Sequence, residues 1–225
     1  MSSSPAPCPH EWSIADREYA RQEERRGRRY AFERLDPSKT ALVVIDMVPF
    51  FIADNPYALG IVDNVNALAT AMRGVGGIVS WVLPGPNPPQ PSFDEFFGAR
   101  VAEMFRAEAR GPLRPRLWAG LSVQDEDLLV EKTTFSAFFP GRCPLPDELA
   151  RRGIENVLIA GCVTNVCCES SARDAATRGY RVLMVADANA TTSDAVHNAT
   201  LHTIYRSFGD VRPTQDVLAL IGAST

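Results

Sequence analysis

The chain alternates short, densely apolar runs with longer segments whose apolar positions recur at three- and four-residue spacing. The short runs are Thr40–Asp46, Ile78–Leu83, Leu128–Glu131, Val157–Ala160 and Tyr180–Ala186, with a last brief one at Asp210–Arg212. Runs of this length, rich in β-branched residues, mark strands buried on both faces of a parallel sheet. Between them, Val62–Met72, Pro146–Arg152, Cys167–Arg178, Asp194–Phe208 and Gln215–Ile221 carry helical periodicity. Gly74 and Gly179 stand where two of these helices stop. In Asp194–Phe208 the pattern turns Val196, Leu201, Ile204, Tyr205 and Phe208 inward, with Thr192 or Ser193 as cap and Thr214 capping the last helix. Strand, crossover helix and parallel strand repeat, which predicts right-handed units in one α/β domain.

Composition narrows the function. With 225 residues and 45% hydrophobic content, the chain can bury one α/β core and is short for two. A net charge of −4 gives no electrostatic footprint for nucleic acid or an anionic membrane. No apolar run approaches the ~20 residues of a spanning helix, and the first residues lack the apolar core of a signal peptide, so a cytoplasmic location is expected. Five cysteines, two of them adjacent, do not suit a disulfide framework. Residues 1–11 are Pro/Ser-rich and predict a loose leader in which His10 is inert. Ile14–Phe32 is dense in Arg and Glu, with Tyr19, Tyr30 and Phe32 among them; it is read first as a solvated face, with a short surface helix and an extended arm across a neighbouring subunit as the alternative. The division expected is an arm over 1–37 and a domain over 38–225.

Ligands of an open α/β sheet bind at the carboxyl ends of its strands, so polar residues there are the chemical candidates. Asp46 ends the first strand, and its plain alternative is a turn or cap aspartate. Lys132 ends the third strand, where a lone lysine is ordinarily a solvated charge. Cys167 falls at a strand-to-helix turn, where helix N–H groups favour thiolate and lower a cysteine pKa. The plain reading of Cys162, Cys167 and Cys168 is small hydrophobes in a tight crossover, and it is kept for Cys162 and Cys168. Pro84–Pro91 holds five prolines and predicts an irregular loop; with Phe93, Phe96 and Phe97 it makes a pocket wall or lid, or a pinned surface loop. His197 and His202 do not share a helix face and are read as structural. No G-x-G-x-x-G dinucleotide fingerprint is present.

Gly161-Cys162-Val163-Thr164-Asn165-Val166-Cys167-Cys168-Glu169-Ser170, with Arg173-Asp174-Ala175 and Gly179-Tyr180 behind it, closely resembles the nucleophile segment of the isochorismatase-like cysteine hydrolases, G-x-x-T-x-x-C, R-D-A, G-Y. Lys132 with Ser136-Ala137-Phe138 resembles the family's lysine segment, and Thr40–Asp46 followed by Phe50-Phe51 its first strand. The family commonly has Gln two residues after the Asp, where this chain has Val48-Pro49. The resemblance implies a three-layer α/β/α fold with a six-stranded parallel sheet in the order 3-2-1-4-5-6. It also implies a triad of Asp46, Lys132 and Cys167, and an oxyanion hole from the N–H groups of Val163 and Cys167, the former following a cis Cys162–Val163 peptide. Phe51, Trp81, Phe138 and Asn165 are the expected substrate contacts, with Ser136–Phe139 lining the pocket. Metal-dependent nicotinamidases carry histidines in their early segments; here none lies between His10 and His197, so neither metal nor cofactor is expected. The expected activity is hydrolysis of a C–N bond in a small amide, carbamoyl or ureido molecule by a homodimer or homotetramer. Isochorismatases, which cleave a vinyl ether, have a small residue in place of the cysteine. That activity and a non-catalytic binding protein on the same fold are the alternatives.

Overall fold

Strand β1 (Thr40–Ile45) is buried along its whole length, as is β4 (Asn156–Cys162) beside it. A computed structural model, describing residues 5–87 and 90–223, places them at the centre of a six-stranded parallel sheet. The others are β2 (Ile78–Pro84), β3 (Leu128–Lys132), β5 (Arg181–Ala190) and β6 (Asp210–Arg212), in the order β3-β2-β1-β4-β5-β6. All pair in parallel, as the unbroken apolar runs require. Successive side chains go to opposite faces, so Val43, Ile45, Val157 and Ile159 enter one core and Leu42, Val44, Leu158 and Ala160 the other.

The helices, in chain order, are α1 (Asp16–Arg26), α2 (Pro49–Ile52), α3 (Pro56–Gly60), α4 (Val62–Gly74), α5 (Pro91–Phe97), α6 (Ala99–Glu108), α7 (Leu113–Arg116), α8 (Leu145–Arg151), α9 (Glu169–Thr177), α10 (Asp194–Ser207) and α11 (Thr214–Gly222). One face of the sheet is covered by α8, α9 and α10 through Leu145, Leu149, Ala172, Ala175, Leu201 and Ile204. The other is covered by α4 and α11 through Val65, Leu68, Met72, Val217 and Ile221. Helix α9 ends in a Schellman turn: Tyr180 N–H donates to Ala175 C=O at 3.1 Å and Gly179 N–H to Ala176 C=O at 3.0 Å, with Gly179 at φ 91°. Val196, expected inward, is exposed, because the buried side of α10 runs through His197, Thr200, Leu201, Ile204 and Tyr205.

The N-terminal segment departs most from the sequence reading. Of the leader expected over 1–11, residues 1–4 lie outside the described residues, and from there on the segment is held to its own domain, Cys8 N–H donating to Pro56 C=O at 3.0 Å. His10 is buried, stacked between Tyr57 at 3.9 Å and His197 at 4.2 Å, with Nδ1 2.6 Å from Asp194 Oδ1. Thr191 N–H donates to its Nε2 at 3.1 Å. Tyr19 and Tyr30 pack edge-on against Tyr205 of α10, so part of the apolar surface of these half-buried rings is covered within the chain. Composition misled here because the aromatic anchors are few and widely spaced among charges.

Candidate active site

Asp46, the residue after β1, is held at φ 52°. A left-handed aspartate costs free energy and persists where its surroundings enforce it; its N–H donates to Val82 C=O at 2.8 Å and its C=O accepts from Val48 N–H at 2.9 Å. Lys132 ends β3, two strands away, with Pro84 of β2 in register beside it. Neighbouring strands lie about 4.8 Å apart, so only a long side chain spans from β3 to β1. The lysine stem does so: its Nζ is 2.7 Å from Asp46 Oδ2, with both side chains at most 4% exposed. The ammonium also donates to Thr134 C=O at 3.2 Å and lies 3.5 Å from Cys167 Sγ.

Cys167 comes from β4. That strand crowds β1 at Gly161, φ 115°, where a Cβ would fall 2.1 Å from Ile45 O, so the third strand end is drawn against the first. After the cis Cys162–Val163 peptide the chain makes a π-helical turn, Thr164–Cys168, in which Val163 C=O accepts from Val166 N–H and Cys168 N–H. Neither bond uses the Cys167 N–H. Single π turns are common at functional sites, and this one replaces the plain loop that the sequence suggests. Thr164 anchors it through a 2.9 Å bond to His197 Nδ1, a structural role for that histidine.

The electrostatics correct one expectation. Burial pushes the Cys167 thiol up, not down, Asp46 pushes it further, and Lys132 works against both. Desolvation therefore outweighs the neighbouring ammonium. For Lys132, burial alone would lower the pKa, but Asp46 and the Cys167 sulfur more than offset it and the ammonium is held above its usual range. Asp46 Oδ1 is buried without a hydrogen-bond partner of good geometry among the described residues, although the carboxylate acts on the Cys167 thiol by charge and hydrogen bonding. A buried ion pair is poor evidence of stabilisation, and one in a cavity beside a thiol points to chemistry.

These three side chains line a cavity of about 160 Å³, close to the volume that admits benzene in an engineered core. Phe51, Phe93, Phe105 and Phe135 form its aromatic wall, and Asn87, Gln90, Thr133, Thr134, Arg106 and Arg142 supply polar groups. Thus Phe51 and part of the proline-rich segment, whose Pro88 and Pro89 lie outside the described residues, stand where the sequence reading put them. Three expected contacts do not. Trp81 is fully buried in mid-strand, its Nε1 donating to Asp127 Oδ2 at 2.7 Å. Phe138 is fully buried against Tyr180, because Ala137 N–H donates to Ser171 Oγ at 2.9 Å and turns Ser136–Phe138 into the core behind Cys167. Asn165 accepts from Thr191 Oγ1 at 2.7 Å and lines a separate shallow groove beside α10. The expected lining at Ser136–Phe139 is replaced by Thr133–Phe135. Phe105 and Arg142 were not anticipated; the one available signal was the phenylalanine density of 93–105.

The isochorismatase domain model matches residues 40–216. The isochorismatase family protein YwoC of Bacillus subtilis is 33% identical over 192 residues, covering 82% of this chain and 95% of that protein. Ureidoacrylate amidohydrolase RutB of Rhizobium rhizogenes is 29% identical over 212 residues, covering 83% and 85%. Among solved structures, a cysteine hydrolase from Pseudomonas syringae pv. phaseolicola superimposes with a TM-score of 0.77 at 26% identity, covering 87% of this chain and 98% of that one. With its nucleophile segment, sheet order and domain match in agreement, the chain belongs to the isochorismatase family.

Proposed function

We propose that this chain is a cysteine hydrolase that cleaves a C–N bond of a small amide, carbamoyl or ureido molecule through an acyl-enzyme on Cys167. The observation that carries the reading is the convergence of three strand ends on one cavity, with Lys132 Nζ 2.7 Å from Asp46 and 3.5 Å from Cys167 Sγ. A resting thiol needs a base at the moment of attack, and a buried Asp46 Oδ1 without a hydrogen-bond partner among the described residues supports Asp46 in that role. The sulfur then adds to the carbonyl carbon. Lys132 holds the carboxylate in place and offsets the negative charge that develops, while the N–H groups of Val163 and Cys167 are the proposed donors to the oxyanion. Collapse of the tetrahedral adduct breaks the C–N bond. Asp46 returns its proton to the departing nitrogen, and water repeats the sequence on the thioester to release the acid.

A non-catalytic binding protein would not need a buried Asp–Lys–Cys constellation, and the cysteine at the nucleophile position disfavours vinyl ether hydrolysis. The name of RutB supports a ureido or amide substrate. The test is ammonia release across a panel of amides, carbamoyl amines and ureido acids by the wild type and by Cys167→Ala. Turnover of at least one compound, lost in the variant, is expected; equal release by both proteins overturns the reading.

A further inference from the structure

Three cations and a single carboxylate, Asp46, line the cavity. Two of those cations are already neutralised, Lys132 by Asp46 at 2.7 Å and Arg106 by Asp94 at 2.8 Å and Glu103 at 3.1 Å. Arg142 differs, because its partners among the described residues are all uncharged. Its Nε donates to Thr133 Oγ1 at 2.7 Å, and its Nη2 donates to Asn87 Oδ1 at 3.1 Å and to the Thr133 carbonyl. The grip is doubled by Thr133 N–H, which donates to Arg142 C=O at 2.8 Å. The guanidinium is therefore fixed from one side, and among the described residues Nη1 has no partner and the charge no counter-ion, in the wall of a largely aromatic cavity. A partly buried cation without a counter-ion is unfavourable, and a planar fork whose rotamer is already fixed is suited to a carboxylate at little further entropic cost.

We propose that Arg142 is the specificity-determining residue, holding a carboxylate of the substrate, so that the molecule cleaved at Cys167 is a small monoanionic amide or ureido acid. The inference rests on the hydrolase reading of Cys167. The anchor of Arg142 is Thr133, the residue after Lys132, and the cavity is about 160 Å³. Both keep the body between carboxylate and scissile carbonyl short. The rings of Phe51, Phe105 and Phe135 favour a flat one.

The test needs no knowledge of the substrate. Iodoacetate and iodoacetamide alkylate the same sulfur by the same step, in which an S–C bond forms, iodide leaves and the thiol proton goes to base; they differ in carboxylate against carboxamide. Labelling rates at Cys167 are followed by peptide mapping, with exposed Cys8 as the internal reference. In the wild type the iodoacetate-to-iodoacetamide ratio at Cys167 exceeds that at Cys8 by about tenfold or more, the scale of one charge-assisted pair. Arg142→Gln brings the ratio down by most of that factor, even though Lys132 is still present, and Arg142→Lys keeps part of it. Equal ratios at Cys167 and Cys8 in the wild type, or a ratio untouched by Arg142→Gln, overturns the assignment of Arg142 and leaves the hydrolase reading standing. Failure of both reagents to label Cys167 while Cys8 reacts strikes the nucleophile itself, and the inference falls with it.

Discussion

From Asn156 to Cys162 every residue is buried, and behind Cys167 the packing continues through Cys168, Ser171, Ala172 and Ala175. The segments that complete the cavity from the other side are built differently: Phe135 is 43% exposed, and Phe96, in the helix that carries Phe93, is 82% exposed. One region fixes atoms to fractions of an ångström by close packing, and the other presents aromatic rings and arginines from short helices and a proline-rich segment. On the proposed function, this division separates chemistry from selection. Changes in the buried region should act on kcat or on folding, and changes in the outer wall on which molecule is accepted.

The largest effect expected from breaking the buried half is at Cys167, the proposed nucleophile. Cys167→Ala should reduce kcat by at least about 10⁴-fold with the fold intact, whereas Cys168→Ser, one residue along, should keep much of the activity. Equal loss in both would mean that the wrong thiol has been chosen. Next is Lys132→Met, which removes the cation beside both Asp46 and the sulfur; kcat should fall by about 10²–10⁴, and circular dichroism should report an unchanged fold. Lys132→Arg should also be poor, since a guanidinium fork does not replace a compact ammonium in a closed pocket.

A pH effect probes the buried half without touching the triad. Burial, helped by His10, drives His197 down to about 3 from 6.5, and burial lowers His10 as well although Asp194 opposes it. The unfolded chain takes up these protons near pH 6.5 while the folded chain resists, so stability is complete above that pH and is lost as pH falls toward 3. Between pH 6.5 and 5 the loss from His197 should be about 1–2 kcal/mol, read as a drop in the urea midpoint. His197→Gln should flatten that slope, and a slope unaffected by the substitution would contradict the assignment. Smallest is Trp81→Phe, which removes a buried hydrogen bond to Asp127 and should cost about 1–2 kcal/mol of stability with kcat unchanged.

Trp81 also marks where the sequence could be read and where it could not. The six strands were legible because parallel strands buried on both faces leave unbroken apolar runs, and Asp46, Lys132 and Cys167 because they close those runs inside family-like segments. Trp81 was an expected ligand contact, but it stands three residues before the end of β2, in register with Val44, and is fully buried there. Phe138 and Asn165 were misjudged because their placement depends on Ser171 and Thr191, 33 and 26 residues downstream. Arg142 was invisible for the same reason. Its proposed role rests on a clamp on Thr133 that no local pattern encodes, and helices α5 to α7 were missed beside the same wall because α5 and α7 are short and the apolar residues of α5 and α6 are partly exposed.

The central claim is a covalent intermediate on Cys167, and it is tested most directly by mixing the protein with an amide that it turns over, quenching in acid within the first turnover, and mapping the peptides by mass. The account predicts that the acyl mass appears on the peptide containing Cys167, builds up before ammonia release reaches its steady rate, and is absent from Cys167→Ala. Turnover with no adduct on any cysteine, or with the adduct on Cys143 or Cys168, would contradict it.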